Sequence, residues 1–145
     1  SKSFHDPKDF EYHLEVTFTN NGDGIQKSLR DLSNKSEFSP PRYAPENDYT
    51  NTWVKEAGRK LGAGYYGLND KDRIFFLYRI RNVTNHEGVI VKALYGKIAG
   101  DFQIAGWGAE QADLLFTYYL NPDGTRNLEY SGENLFKDDG RKYPP

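Results

Sequence analysis

Few side chains in this chain are suited to acid–base chemistry. There are three histidines. His86 is the only one in a predicted turn beside an acid, so His86 with Glu87 is the best general-base candidate. Arg79 and Arg81 lie on the strand leading into that turn. A small hydrolase or ribonuclease-like effector would use Arg79, Arg81, His86 and Glu87 together. Such chemistry needs its groups to converge, whereas adjacent strand residues point to opposite faces. His13 falls between Glu11 and Glu15 in a carboxylate–imidazole–carboxylate row, whose ordinary meaning is a polar strand face. Gly22-x-Gly24-x-x-Lys27-Ser28 contains pieces of a phosphate loop but not its spacing, and the βαβ alternation that goes with such loops is absent. No metal site and no cofactor are expected.

Residues suited to binding are more numerous. Aromatics make up 15% of the chain, with 11 Tyr and 9 Phe. Tyr65 and Tyr66 stand inside a run of three glycines, Gly62, Gly64 and Gly67. Glycine permits bends and close approach, and neighbouring tyrosines point different ways, so at least one is expected to be available for contact. Trp107 is flanked by Gly106 and Gly108 at a strand end. Tyr65, Tyr66 and Trp107 form the candidate ligand-binding set. Pro40-Pro41-Arg42-Tyr43 satisfies the Pro-Pro-x-Tyr pattern read by small adaptor domains in the cytosol. A stiff loop wrapping the domain explains the same residues.

The elements that must position these residues follow from periodicity. From Phe10 to Asn20, Phe10, Tyr12, Leu14, Val16 and Phe18 alternate with polar residues, which predicts a half-buried antiparallel strand. Asp23 with Gln26 three residues on resembles a capping box, and Ile25, Leu29 and Leu32 then fall at helical spacing. Residues 37–50 read as a proline-rich loop. Trp53, Val54, Ala57 and Leu61 predict a second, short helix stopped at Gly62. Arg73 to Asn82 and Val89 to Ile98 carry apolar residues on both faces, the mark of central strands whose second face is partly covered. Gly100-Asp101 predicts a turn into a third strand starting at Phe102. Leu114 to Leu120 is a further strand, and Asn121-Pro122-Asp123-Gly124 a hairpin turn before a return through Arg126 to Tyr130.

The expected fold class is therefore α+β. An antiparallel sheet of five to six strands carries one long and one short helix on one face, in the order β-α-α-β-β-β-β-β. One domain is expected over residues 1–145, with 1–9 and 137–145 as mobile tails.

Composition narrows the function classes. The net charge is −2 and 28% of residues are charged. That balance gives no reason to expect nucleic acid as a partner, and no apolar run is long enough to insert in a membrane. Cys and Met are both absent. The first removes disulfides and thiolate chemistry, and the second suggests a processed or excised chain. The expectation is an extracytoplasmic, non-enzymatic binding domain of the periplasm or cell surface, and a lipid anchor on a missing N-terminal Cys is one attachment it allows. Its partner would be a glycan, a peptide or a protein.

Overall fold

The computed structural model describes residues 9–29, 41–67, 74–105, 112–129 and 135. Among them the chain forms strands and no helix: β1 (Phe10–Thr17), β2 (Gly24–Leu29), β3 (Thr52–Lys60), β4 (Gly64–Tyr66), β5 (Ile74–Thr84), β6 (Ile90–Ala105) and β7 (Asp113–Leu120). They build two antiparallel sheets, one of order β1-β3-β4 and one of order β2-β5-β6-β7. The architecture is all-β, which overturns the α+β class. In their described residues both expected helices form strands. The segment after Asp23 pairs with β5 from Gly24↔Arg79 to Leu29↔Ile74, and the segment after Thr52 pairs with β1 from Thr17↔Thr52 to Phe10↔Arg59.

The alternation along β1 survives in the structure, with its apolar residues half-buried and Glu11, His13, Glu15 and Thr17 exposed. That apolar face closes against the larger sheet. Leu14, Val16 and Trp53 pack on a core of Ile25, Ile74, Phe76, Tyr78, Ile98, Phe102 and Leu120. Trp53 anchors it, with its ring 4.8 Å from Phe76 and 5.1 Å from Phe102 between centroids.

The second face of the larger sheet is covered by the chain's own loops. Phe75, Leu77, Ala93 and Tyr95 pack with Ala44 and Leu128. The two covering loops are zipped together by Ala44 N–H to Arg126 O at 2.7 Å and Leu128 N–H to Arg42 O at 2.9 Å. This explains why β5 and β6 are apolar on both sides. The expected return strand over Arg126 to Tyr130 is, in its described part, a single bridge between Asn127 and Tyr43.

Two irregularities shape the long β5–β6 pair. Arg81 adopts φ 54°, and the register slips between Ile80 and Val83. Gly100 adopts φ 77°. There the step from Ala99 to Gln103 on β6 is matched by the shorter step from Thr117 to Leu115 on β7, so β6 carries extra residues in a bulge. Gly100-Asp101 is thus a bulge within one long strand and not a turn between two. The tail 137–145, most of the tail 1–9, Leu32, Pro40 and Trp107 lie outside the described residues.

Candidate functional site

The β3–β4 hairpin carries the tyrosine pair. Its turn is built on Gly62 and Gly64, at φ 82° and 79°, where any other residue is strained. Register places Tyr65 opposite Arg59 and Tyr66 opposite Gly58. Strand alternation then sends the two rings to opposite faces of the sheet, as their adjacency implies.

Tyr66 crosses Gly58, where an added Cβ would meet the phenol oxygen at 2.8 Å. Its hydroxyl donates to Glu11 Oε2 at 2.7 Å. That hydrogen bond, with lesser help from burial and from the Glu11 and Glu56 charges, pushes the phenol up to about 12. Tyr66 is therefore committed to a cross-strand bond.

Tyr65 is different. It is 51% exposed. The Arg59 guanidinium carbon lies 5.7 Å from its ring centre and the Phe10 ring 6.3 Å away. Phe10 in turn sits 5.2 Å from Tyr12. Phe10, Tyr12, Arg59 and Tyr65 share the face that holds Leu14 and Trp53 further along the same strands. The structure thus gathers Tyr65 with an arginine and two aromatics, and separates it from Tyr66 by the thickness of the sheet. Trp107 lies outside the described residues, so its place relative to the pair is not part of this geometry.

The residues of the hydrolase-like reading occupy separate places. The His86 side chain is 90% exposed at the β5–β6 turn, with Glu87 68% exposed and 3.9 Å away. Arg79 is buried on the loop-covered face. Its Nε and Nη2 donate to Gly22 O, its Nη1 donates to Glu46 O, and its guanidinium lies 4.5 Å over the Tyr49 ring. Arg81 stands in the bulge, where its backbone N–H donates to Asp23 Oδ2 at 2.8 Å. His13 lies 3.9 Å from Glu15 and 3.7 Å from Glu56 across the strand pair, on the wet face. At the adaptor pattern, Tyr43 is 55% exposed, but its backbone belongs to the bridge with Asn127.

One polar cluster was missed by sequence reasoning. Lys55 Nζ, on the inward face of β3, reaches Asp101 Oδ2 in the β6 bulge at 2.5 Å and Phe102 O at 2.8 Å. The two side chains are 7% and 8% exposed. They line a cleft of about 340 Å³ together with Lys27, Trp53, Glu56 and Ile74. A lysine two residues from an inward tryptophan was the available signal, and the helical reading of this segment concealed it.

No family model, no curated protein and no solved structure matches this chain.

Proposed function

We propose that this chain is a non-enzymatic, extracytoplasmic binding domain of the cell envelope, which contacts a glycan, peptide or protein partner through the aromatic surface at the β3–β4 end of the smaller sheet. The observation that carries this reading is the half-exposed Tyr65 ring beside Arg59 and Phe10. A rigid ring with a neighbouring guanidinium offers a stacking face and charged donors at low cost in conformational entropy, the combination found at recognition surfaces. The extracytoplasmic part of the proposal draws on a cysteine-free, tyrosine-rich composition joined to an all-β architecture.

A thermal-shift screen against saccharides, peptides, nucleotides and divalent ions tests it. A specific ligand at about 100 times its dissociation constant adds roughly 2.7 kcal/mol of stability. The expected result is a shift with one saccharide or peptide class that Tyr65→Ala abolishes and Tyr66→Phe retains. A shift that survives both Tyr65→Ala and Arg59→Ala would place binding elsewhere and sink the assignment.

A further inference from the structure

We propose that Lys55 and Asp101 condense into an intramolecular isopeptide bond, a covalent staple between the two sheets. Lys55 belongs to the three-stranded sheet and Asp101 to the four-stranded one, 46 residues apart in sequence. Nζ and Oδ2 are in direct contact, 2.5 Å apart, with no room for a water between them. The neighbouring inward residue on β3 is Trp53, whose ring meets Phe76 edge-on and lies tilted against Phe102, so the pair borders an aromatic core. Holding two reacting groups together out of water gives effective concentrations of roughly 10⁵–10⁸ M in favourable cases.

The polar inventory points the same way. As an ion pair, the site buries two charges, and that desolvation is offset only where every lone pair and proton is satisfied. Here Asp101 Oδ1 is buried with no hydrogen-bond donor among the described residues. Two of the three Nζ hydrogens have acceptors, in Asp101 Oδ2 and Phe102 O. The amide product carries no charge, one oxygen where the carboxylate has two, and one N–H where the ammonium has three. Phe102 O, at 2.8 Å from Nζ, is already placed to accept that N–H.

The reaction balances without any co-reactant. A proton passes from Nζ to the carboxylate across their contact, giving a neutral amine and a neutral acid. The Nζ lone pair attacks Asp101 Cγ and the C–N bond forms. One carbon–oxygen bond of the carboxyl group breaks, and that oxygen leaves as water with the transferred proton and a second proton from Nζ. The cleft lined by both side chains takes up the water. In a chain with no cysteine, this is a covalent tie that needs neither an oxidising compartment nor a metal. It does not depend on the ligand-binding reading.

Intact-mass spectrometry of the purified, folded chain decides the question. The expected mass is the sequence mass less one water, and peptide mapping is expected to yield one branched species joining the peptides of Lys55 and Asp101. Lys55→Arg keeps the ion pair but cannot form this amide, and Asp101→Ala removes the electrophile, so both are expected at full sequence mass. Lys55→Arg is also expected to melt at lower temperature than the parent. A folded parent chain that stays at full sequence mass on prolonged incubation overturns the proposal, whatever the variants do.

Discussion

Replacing Asp23 with alanine is expected to cost about 3 kcal/mol, because Asp23 ties the β1–β2 turn to the β5 bulge. Its Oδ2 accepts the Arg81 backbone N–H at 2.8 Å, and its Oδ1 accepts the Asn82 backbone N–H at 2.9 Å and the Asn20 side-chain amide at 3.0 Å. The Asn82 side-chain amide donates to the same Oδ1. Asp23 and Asn82 are 9% and 7% exposed, so water does not readily replace the lost acceptor. Each buried donor left unsatisfied costs ~1–3 kcal/mol. The Asn82 N–H carries the full penalty and the better-hydrated Arg81 N–H a fraction of it. For a chain of this size the expected fall in melting temperature is roughly 6–12 °C. The assay is urea unfolding followed by tryptophan fluorescence, in which the midpoint moves and the slope does not. Asp23→Ser separates this role from a helix cap. Serine caps helices about as well as aspartate, but its single oxygen cannot span the Arg81 and Asn82 amides, so it should resemble alanine. An Asp23→Ala cost below about 0.5 kcal/mol, the range of ordinary surface substitutions, would refute the anchor, and so would a fully stable Asp23→Ser.

Three further outcomes follow from the same structure. At Gly96 an added Cβ would land on the Tyr78 ring and the Tyr119 carbonyl oxygen; Gly96→Ala should cost roughly 3 kcal/mol or slightly more, at the upper end of overpacking, and Tyr78→Leu in the same chain should recover part of that loss in urea titrations. Arg79→Lys keeps the charge but cannot reach both Gly22 O and Glu46 O; a loss of about 2 kcal/mol is expected from the forfeited charged hydrogen bonds, and an unchanged urea midpoint would refute it. Burial raises the Tyr49 phenol to about 12 against the Arg79 charge, and burial raises Tyr78 as well. Since these folded-state values lie above the unfolded one, their stabilising contribution is complete below pH 10 and lost as the pH rises toward about 12; urea midpoints measured across that window should fall, and a flat profile would contradict the burial assignment.

The parts of the fold legible in sequence were those where one physical signal dominated. Phe10 to Phe18 alternated without interruption and became β1. The two-sided apolar pattern of β5 and β6 correctly demanded a cover, which loops through Ala44 and Leu128 supply. β2 was illegible because Ile25 and Leu29 are four apart, a spacing shared by strand and helix. Its intervening residue on that face is Lys27, which breaks alternation, and Leu29 is itself 74% exposed at a sheet edge. Gly100-Asp101 looked like a turn because glycine at positive φ serves bulges and turns alike. At the candidate site, the divergence of Tyr65 and Tyr66 was readable from adjacency, whereas the capture of Tyr66 by Glu11 depends on Gly58 lying across the register from both, which no local pattern reports.

The failure on β3 is of another kind. Its helical stripe of Trp53, Val54, Ala57 and Leu61 is not a core stripe, since Val54 is 45% exposed and Leu61 70%. The inward residues are Trp53, Lys55 and Ala57, a sound period of two in which the middle position is a lysine. A lysine facing inward interrupts the strand pattern, whereas the helical stripe and the stop at Gly62 were both intact, so the helix was the better local match. Natural sequences break local rules chiefly where a position is held for something other than packing. A methionine or leucine at residue 55 would have made β3 readable, and would have filled the space beside Trp53 without burying a charge. Asp101 repeats the contradiction from the other sheet, as a buried carboxylate in a bulge where an apolar residue would suffice. Two departures from pattern, far apart in sequence, meet at 2.5 Å. A hydrophobic pair would fill the same space without burying charge, so packing alone gives no reason for either residue, and the proposed covalent tie gives both the same one.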